Sequence, residues 1–115
     1  MYKATIGLEI HCEMKSISKN FSSSPNKYEQ EPNINISPID LGYPGILPVV
    51  NKYAVKQALK LALALNCKTP KYLTFERKNY FYPDLPKGYQ ITQVTKPMGK
   101  KGHLNIILPE YEKRF

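Results

Sequence analysis

The amino-acid sequence predicts an α+β domain with a mixed or antiparallel sheet and one main helix. Three observations carry this prediction. Apolar and polar residues alternate through residues 3–15, apolar residues recur at helical spacing through residues 51–66, and β-favouring segments alternate with turn residues from Tyr72 onward. Periods of two and of 3.6 residues are the signatures of strands and helices, respectively. The 115 residues are enough for one small domain but not for two.

The first predicted element is a strand over residues 3–15. Apolar side chains would occupy one face and mostly polar side chains the other, as expected for a strand with one face in a core. The apolar set is Ala4, Ile6, Leu8, Ile10, Cys12 and Met14. The alternate set is Lys3, Thr5, Gly7, Glu9, His11, Glu13 and Lys15.

The next part of the chain predicts irregular structure. Residues 16–38 are rich in Ser, Asn and Pro, which is typical of a long connection. Long connections inside compact domains are often functional, and a mobile surface excursion explains this one equally well. Two Pro and two Gly residues between 42 and 48 then forbid a regular helix.

The main helix is predicted to begin after Asn51, whose side chain can cap it. Val55, Ala58, Leu59, Ala62 and Leu65 recur at helical spacing in this segment. The second half is apolar nearly all round, which predicts that the helix ends buried. On another side Lys52, Lys56 and Lys60 form a row that is more typical of a solvated face than of a binding site.

The remaining sequence predicts short strands joined by turns. Tyr72 to Tyr82 is aromatic and β-favouring, and Tyr89 to Val94 follows after turn residues as a second strand. Residues 103–108 predict a third strand. Pro109-Glu110 then predicts a hairpin tip, and residues 111–115 the start of a returning strand. A hairpin that stops so soon indicates a fragment of a longer domain.

Composition limits the classes of function. The chain carries 17 Lys+Arg against 9 Asp+Glu, a net charge of +8, which favours an anionic partner such as nucleic acid, a nucleotide or a membrane surface. Cys12 and Cys67 lie too far apart for a short-spaced zinc motif, and we expect both to be buried, reduced thiols. No signal-peptide core is present, and no apolar run approaches the roughly 18 residues of a membrane helix. The expectation is a cytoplasmic domain without membrane contact, with an organellar matrix left open.

One candidate site is the polar face of the first predicted strand. Glu9, His11 and Glu13 would lie on that face with neighbours about 6.5 Å apart. Carboxylates with at most one imidazole suit Mg²⁺ or Mn²⁺ better than zinc, because hard cations prefer oxygen ligands. Such a site needs one or two further carboxylates from elsewhere. The polar outer face of a half-buried strand explains the same pattern.

A second candidate site is the segment from Arg77 to Tyr89. Its cations would bind phosphate, while its rings would stack bases or a 3′-terminal adenosine. A tyrosine-rich strand with ordinary solubilising charges explains the composition equally well. The sequence contains no glycine-rich phosphate loop, so any ATP site would be of another type. The cations are Arg77, Lys78 and Lys87, and the rings are Tyr80, Phe81, Tyr82 and Tyr89.

Four strings in this chain resemble a known family. They are IGLEIHCEMK, DLGYPGILPVVNKYAV, ALALN and RKNYFYPDLPKGYQITQ. In these the chain resembles the GatB/GatE family, the B subunits of the tRNA-dependent aspartyl/glutamyl amidotransferases and their archaeal E-type relatives, from about Tyr2 to about Ile107. Cys12, Gly42 and Thr92 depart from the usual family residues. The resemblance implies a glutamine-synthetase-like catalytic domain, of which residues 1–115 are the N-terminal, truncated part (the cradle), without the helical and tail domains.

The resemblance also implies a reaction. The enzyme is an ATP-dependent carbon–nitrogen ligase that uses Mg²⁺. It phosphorylates the side-chain carboxylate of Glu-tRNA(Gln) or Asp-tRNA(Asn) and amidates it with ammonia from glutamine. The implied partners are the misacylated tRNA, the amidase (A) subunit and the small (C) subunit, which complete a heterotrimer. The sequence leaves open whether the substrate is Glu-tRNA, Asp-tRNA or both.

Residue roles follow from the resemblance position by position. Glu9 and His11 match the metal-site motif, and Glu13 is either a ligand or a support for one. The segment that lines the reaction pocket and the ammonia path supplies catalytic residues at Lys78, Asn79, Tyr80 and Tyr82. Residues implied to bind substrate or phosphate are Arg77, Lys87 and Tyr89. Two alternatives remain: a basic nucleic-acid-binding module without catalysis, and a folded but inert fragment.

Overall fold

The computed structural model of the chain describes residues 2–107 and 112–114, the last three by their backbone alone. Two helices precede four short strands, which makes the described chain α+β, as predicted. The elements are α1 (Pro38–Leu41), α2 (Lys52–Ala64), β1 (Glu76–Asn79), β2 (Tyr89–Thr92), β3 (Asn105–Ile107) and β4 (Glu112–Arg114). Contacts divide the chain into a first unit, Met1–Ala54, and a second unit, Val55–Phe115.

The strand predicted for residues 3–15 is wrong for this structure. Residues 2–15 form no regular secondary structure, and Ile6, Leu8 and Ile10 are 88%, 88% and 86% exposed. Alternation predicts which side chains share a face, but a strand also needs a neighbour that satisfies its backbone donors and acceptors. Within the described residues no segment pairs with residues 2–15. The apolar face is therefore present in the sequence without the sheet that would bury it.

Residues 16–51 form a long, mostly irregular connection with its own hydrogen bonds, of which residues 16–38 were predicted to be irregular. An isolated antiparallel bridge joins Ser18 to Pro25, and the Asn26 amide donates to the Ile17 carbonyl at 2.9 Å. These bonds fold residues 16–26 into a small hairpin. The single turn of α1 was not predicted. It begins at Pro38, where the missing amide costs nothing, and ends at Gly42, whose φ of 68° is the left-handed conformation that glycine adopts readily.

The carboxylate of Asp40 joins the two ends of this connection. It accepts hydrogen bonds from the Ser24 hydroxyl at 2.5 Å and from the Ser37 amide at 2.8 Å. The Lys19 ammonium lies 3.2 Å away, and the Ser22 hydroxyl donates at 3.1 Å. Ser22 and Ser24 are only 7% and 4% exposed. Burial disfavours the charged form, but the bonds from Ser24, Ser37 and Lys19 outweigh it and hold the pKa of Asp40 well below its usual range.

Helix α2 confirms the predicted main helix and its cap. The Asn51 side-chain oxygen accepts the backbone amides of Tyr53 and Ala54 at 2.8 and 3.4 Å. The lysine row is exposed, as predicted. The prediction of a buried second half is wrong, because Leu61 and Leu63 are 53% and 60% exposed. The buried helical side chains of the described residues are instead small alanines, at positions 54 and 62.

Two antiparallel hairpins complete the second unit. Strand β1 pairs with β2, and β3 pairs with β4. Strands β1 and β2 are shorter than the segments that predicted them, because only residues opposite a partner join a ladder. The pairing of β3 with β4 confirms the predicted returning strand, while the predicted tip at Pro109-Glu110 lies outside the described residues.

Candidate functional site

The β1–β2 hairpin positions most of the predicted site residues. In its register Arg77 lies opposite Ile91, Lys78 opposite Gln90, and Asn79 opposite Tyr89. Side chains of an antiparallel pair alternate between faces, and directly opposed residues share a face. One face therefore carries Arg77, Asn79 and Tyr89, and the other face carries Lys78. The basic aromatic segment predicted as one surface is divided between two faces of the hairpin.

Tyr89 holds two cations on its ring. The Arg77 guanidinium lies 4.2 Å from the ring centroid, and the Lys87 ammonium lies 5.4 Å from it. Arg77 reaches Tyr89 diagonally across the ladder, a distance that long side chains span. Both separations are within the range in which the quadrupole of an aromatic ring attracts a cation. The structure thus brings together all three residues predicted to bind substrate or phosphate.

Tyr80 and Tyr82 form a second contact in the loop between the two strands. Their ring centroids lie 4.7 Å apart with an interplanar angle of 45°. The Tyr80 amide donates to the Gly88 carbonyl at 2.9 Å, which extends the ladder by one step. Gly88 has φ 72°, so the turn that returns the chain to β2 uses the left-handed region.

Asp84 was not among the predicted site residues, and it acts on Tyr80. The Tyr80 hydroxyl donates to the Asp84 carboxylate at 3.3 Å. Desolvation, followed by the charge and the hydrogen bond of Asp84, raises the pKa of Tyr80. A phenol is protonated at neutral pH and can donate a hydrogen bond, and the raised pKa of Tyr80 extends that state to higher pH. The sequence signal for this contact is an acid four positions after the tyrosine, because a tight turn between the two residues brings the carboxylate close to the phenol.

The exposed rings of this loop are Phe81 and Tyr82, at 81% and 63% exposure. Tyr89 is half-buried beneath its cations. A flat partner such as a base therefore meets Phe81 and Tyr82 more readily than Tyr89. Within this hairpin Tyr89 contacts the cations, whereas the loop presents exposed aromatic faces.

The predicted metal ligands lie in the first unit. Glu9 and His11 are exposed on the irregular segment, and the Nε2 atom of His11 lies 3.7 Å from Oε1 of Glu13. The carboxylate and imidazole donors match the chemistry expected for Mg²⁺ or Mn²⁺. Within residues 2–107, no three His, Cys, Asp or Glu side chains converge as a metal site requires. The donor atoms are of the type that binds Mg²⁺ or Mn²⁺, but the described residues supply too few of them to complete a coordination shell.

Tyr28 is a contact of this region that the sequence did not predict. Its hydroxyl donates a hydrogen bond to Oε2 of Glu13, 15 positions earlier. That hydrogen bond, with the charge of Glu13, raises the pKa of Tyr28. Glu13 and Tyr28 also line a pocket of about 460 Å³. No periodicity in the sequence connects residues at this separation.

The catalytic-domain model of the GatB/GatE family matches residues 4–115. The chain belongs to this family. No helix of the described part is both long and apolar enough to cross a bilayer.

Curated relatives give the comparison at the level of particular proteins. The B subunit of the aspartyl/glutamyl-tRNA(Asn/Gln) amidotransferase of Shouchella clausii (strain KSM-K16) is 56% identical over 114 residues, which cover 99% of this chain and 24% of that protein. The B subunit from Halalkalibacterium halodurans is 54% identical over 114 residues with the same two coverages. That of Moraxella catarrhalis is 48% identical over 119 residues, again with 99% and 24%. The chain spans about a quarter of the length of these relatives.

Proposed function

We propose that this chain serves as the N-terminal part of the catalytic domain in the B subunit of a tRNA amidotransferase. The observation that carries the proposal is the family match over residues 4–115, supported by relatives with that name at about half identity. The proposed reaction amidates Glu-tRNA(Gln) or Asp-tRNA(Asn). ATP phosphorylates the side-chain carboxylate, and ammonia from glutamine displaces the phosphate. The proposal includes a glutamine-synthetase-like fold, the amidase and small subunits as partners, and a cytoplasmic location.

In this proposal the Tyr89 face of the β1–β2 hairpin binds negative charge. Arg77 and Lys87 are held over one ring, so two cations are oriented before any anion arrives. Cations fixed in this way offset the charge that gathers on a transferring phosphoryl group without reorganising during the step. Both side chains also suit the phosphates of the tRNA acceptor end.

The loop between β1 and β2 would orient the acyl end of the tRNA. The Tyr80 hydroxyl is protonated at neutral pH, and it would donate a hydrogen bond to a substrate oxygen if it turned from Asp84. Phe81 and Tyr82 present faces on which the terminal base stacks. Lys78 and Asn79 lie on opposite faces of β1, so the proposal assigns them to different sides of the pocket.

Glu9 and His11 would hold Mg²⁺ together with carboxylates outside the described residues. Bound there, the cation would offset negative charge on phosphate oxygens. Glu9 and His11 supply the oxygen and nitrogen donors, and their exposure leaves them open to such partners. The roles proposed for the β1–β2 hairpin do not depend on this cation.

The test uses the assembled amidotransferase with Glu9→Ala and His11→Ala, assayed for Mg²⁺-dependent ATP hydrolysis and for amidation of misacylated tRNA. We expect both variants to lose at least about 100-fold in both activities, as removal of groups that stabilise transition-state charge usually does. Lys52→Ala, on the exposed lysine row, is the matched surface control and should keep both activities. Full activity of Glu9→Ala and His11→Ala would refute the metal-site assignment.

A second candidate function is a nucleic-acid-binding module without catalysis. The net charge of +8 and the exposed rings of the β1–β2 loop favour it. The two functions are separated by Arg77→Ala. A pure binding module would lose only tRNA affinity, and the loss would shrink at high salt. In the amidotransferase we expect a fall in kcat of amidation as well, measured at saturating tRNA.

A further inference from the structure

The carboxylate of Glu13 is held from two sides. Its Oε1 atom faces Nε2 of His11 at 3.7 Å, and its Oε2 atom accepts the hydrogen bond from the Tyr28 hydroxyl. The two oxygens therefore have different partners. The His11 contact is longer than a hydrogen bond, while the Tyr28 contact is a direct one. Tyr28 is the firmer of the two restraints on Glu13.

The position of Tyr28 follows from the small hairpin that precedes it. The bridge between Ser18 and Pro25 and the bond from Asn26 to Ile17 reverse the chain direction. The Asn26 side-chain amide adds a bond to the Ser16 carbonyl at 3.3 Å. The chain leaving this hairpin therefore returns beside the chain entering it. Residue 28 then lies next to residue 13, although the sequence separates them widely.

We infer that Tyr28 is a positioning residue for the divalent cation site, acting through Glu13 on His11. This inference rests on the proposed function, which makes His11 a metal ligand. An imidazole that binds a metal through one nitrogen is commonly oriented by a carboxylate at its other nitrogen. Glu13 faces Nε2, so Nδ1 is the nitrogen directed to the cation. Tyr28 fixes the Glu13 rotamer and so determines which way the ring of His11 is turned.

Surface exposure makes this support necessary. The side chains of His11 and Glu13 are 87% and 64% exposed, so packing does little to restrain either one. A flexible ligand must be ordered when the cation binds, and that ordering weakens binding. A tyrosine donor restrains Glu13 beforehand and needs no additional charge. Loss of such a supporting partner typically weakens metal affinity about 10- to 100-fold.

The experiment measures Mn²⁺ affinity of the assembled amidotransferase by electron paramagnetic resonance, in the absence of ATP and tRNA. Tyr28→Phe removes one hydroxyl and keeps the ring. We expect Mn²⁺ to bind about 10-fold more weakly to this variant. Tyr43→Phe is the matched control, since Tyr43 is an exposed tyrosine of the same unit, and it should leave the affinity unchanged.

A double-mutant cycle shows whether Tyr28 acts through Glu13. Glu13→Gln should weaken Mn²⁺ binding by at least as much as Tyr28→Phe. In the Glu13→Gln background, Tyr28→Phe should then have little additional effect, because the route to His11 is already lost. An equal effect of Tyr28→Phe in both backgrounds would overturn the inference and assign Tyr28 a separate role.

The Mn²⁺ affinities of His11→Ala and Tyr28→Phe test the metal-site assignment and the role of Tyr28 separately. If His11→Ala leaves Mn²⁺ affinity unchanged, the metal-site assignment fails and the inference fails with it. If His11→Ala abolishes Mn²⁺ binding while Tyr28→Phe behaves like Tyr43→Phe, the metal site stands and only the inference is refuted. Thermal melting of each variant is the folding control, and we expect Tyr28→Phe to melt with the unsubstituted enzyme.

Discussion

Replacement of Asp40 by Asn should loosen the connection between residues 16 and 51. The Oδ2 atom of Asp40 accepts the Ser37 amide and the Ser24 hydroxyl, and Oδ1 accepts the Lys19 ammonium. In Asn one of these oxygens becomes an NH₂ group. In either orientation the new NH₂ group faces a group that can only donate a hydrogen bond, either the Ser37 backbone amide or the Lys19 ammonium.

The size of the effect follows from these bonds. An orphaned donor costs about 1–3 kcal/mol, and the bonds that survive lose their charge assistance, which adds about 1 kcal/mol. The Asp40 side chain is only 19% exposed, so solvent relieves little of this. The expected total is about 3 kcal/mol, and at 1.4 kcal/mol per tenfold this corresponds to about two orders of magnitude in the opening equilibrium.

Hydrogen exchange in the assembled enzyme measures this opening directly. Amides of the connection, such as those of Asn26 and Val49, should exchange about 100-fold faster in Asp40→Asn. Glu31→Gln is the matched control, because it replaces an exposed carboxylate of the same connection by an amide. Equal exchange rates in Asp40→Asn and the control would refute the conclusion that hydrogen bonds to Asp40 stabilise this connection.

The effect of pH gives an independent check. The folded pKa of Asp40 is lowered, so its stabilisation is fully present above the unfolded pKa of about 3.9 and is lost as pH falls toward the folded pKa. The ratio of exchange rates between variant and unsubstituted enzyme should be constant from about pH 5 to pH 8 and should shrink below about pH 4. A ratio that already shrinks between pH 8 and pH 5 would contradict the lowered pKa.

Two further substitutions test other contacts of the described chain. Gly102→Ala should lower the free energy of unfolding by about 1–3 kcal/mol in chemical denaturation, because the new Cβ would lie 2.5 Å from the Cys67 sulfur. Gly7→Ala is the control, since a Cβ there meets nothing within 4 Å. Equal losses of stability in the two variants would contradict the close packing at Gly102. Glu13→Gln should lower the raised pKa of Tyr28 back toward about 10, as measured by nuclear magnetic resonance of the tyrosine ring. An unchanged Tyr28 titration would show that the hydrogen bond to Glu13 does not cause the raised pKa.

Local sequence patterns predicted the elements that are stabilised locally. Helix α2 begins where Asn51 can cap it, because the cap and the helical spacing lie in one short segment. Two strands separated by Pro and Gly turn residues were predicted here, and the structure contains both strands, paired as the β1–β2 hairpin. Residues 3–15 show where such patterns fail, since their alternation gives no information about a pairing neighbour.

The candidate site was predictable in composition but not in arrangement. The cations and rings of the β1–β2 segment were identified, yet the division between faces depends on register, which places Asn79 opposite Tyr89. The position of Arg77 over Tyr89 was beyond any sequence rule, because it depends on the register of the two strands. The contacts of Asp40 with Lys19, and of Tyr28 with Glu13, span 21 and 15 positions. Such contacts arise from the folding of the intervening chain.

The space around Cys67 makes that residue a reporter of motion in the second unit. A Cβ at position 102 would lie 2.5 Å from the sulfur and one at position 99 would lie 3.0 Å from it, so the two glycines let their backbone pack against the thiol. The segment from Gly99 to Gly102 therefore covers one side of the half-buried sulfur. The rate of thiol labelling at Cys67 should therefore rise when this segment moves, while Cys12, which is exposed and not buried as predicted, gives the rate for an uncovered thiol.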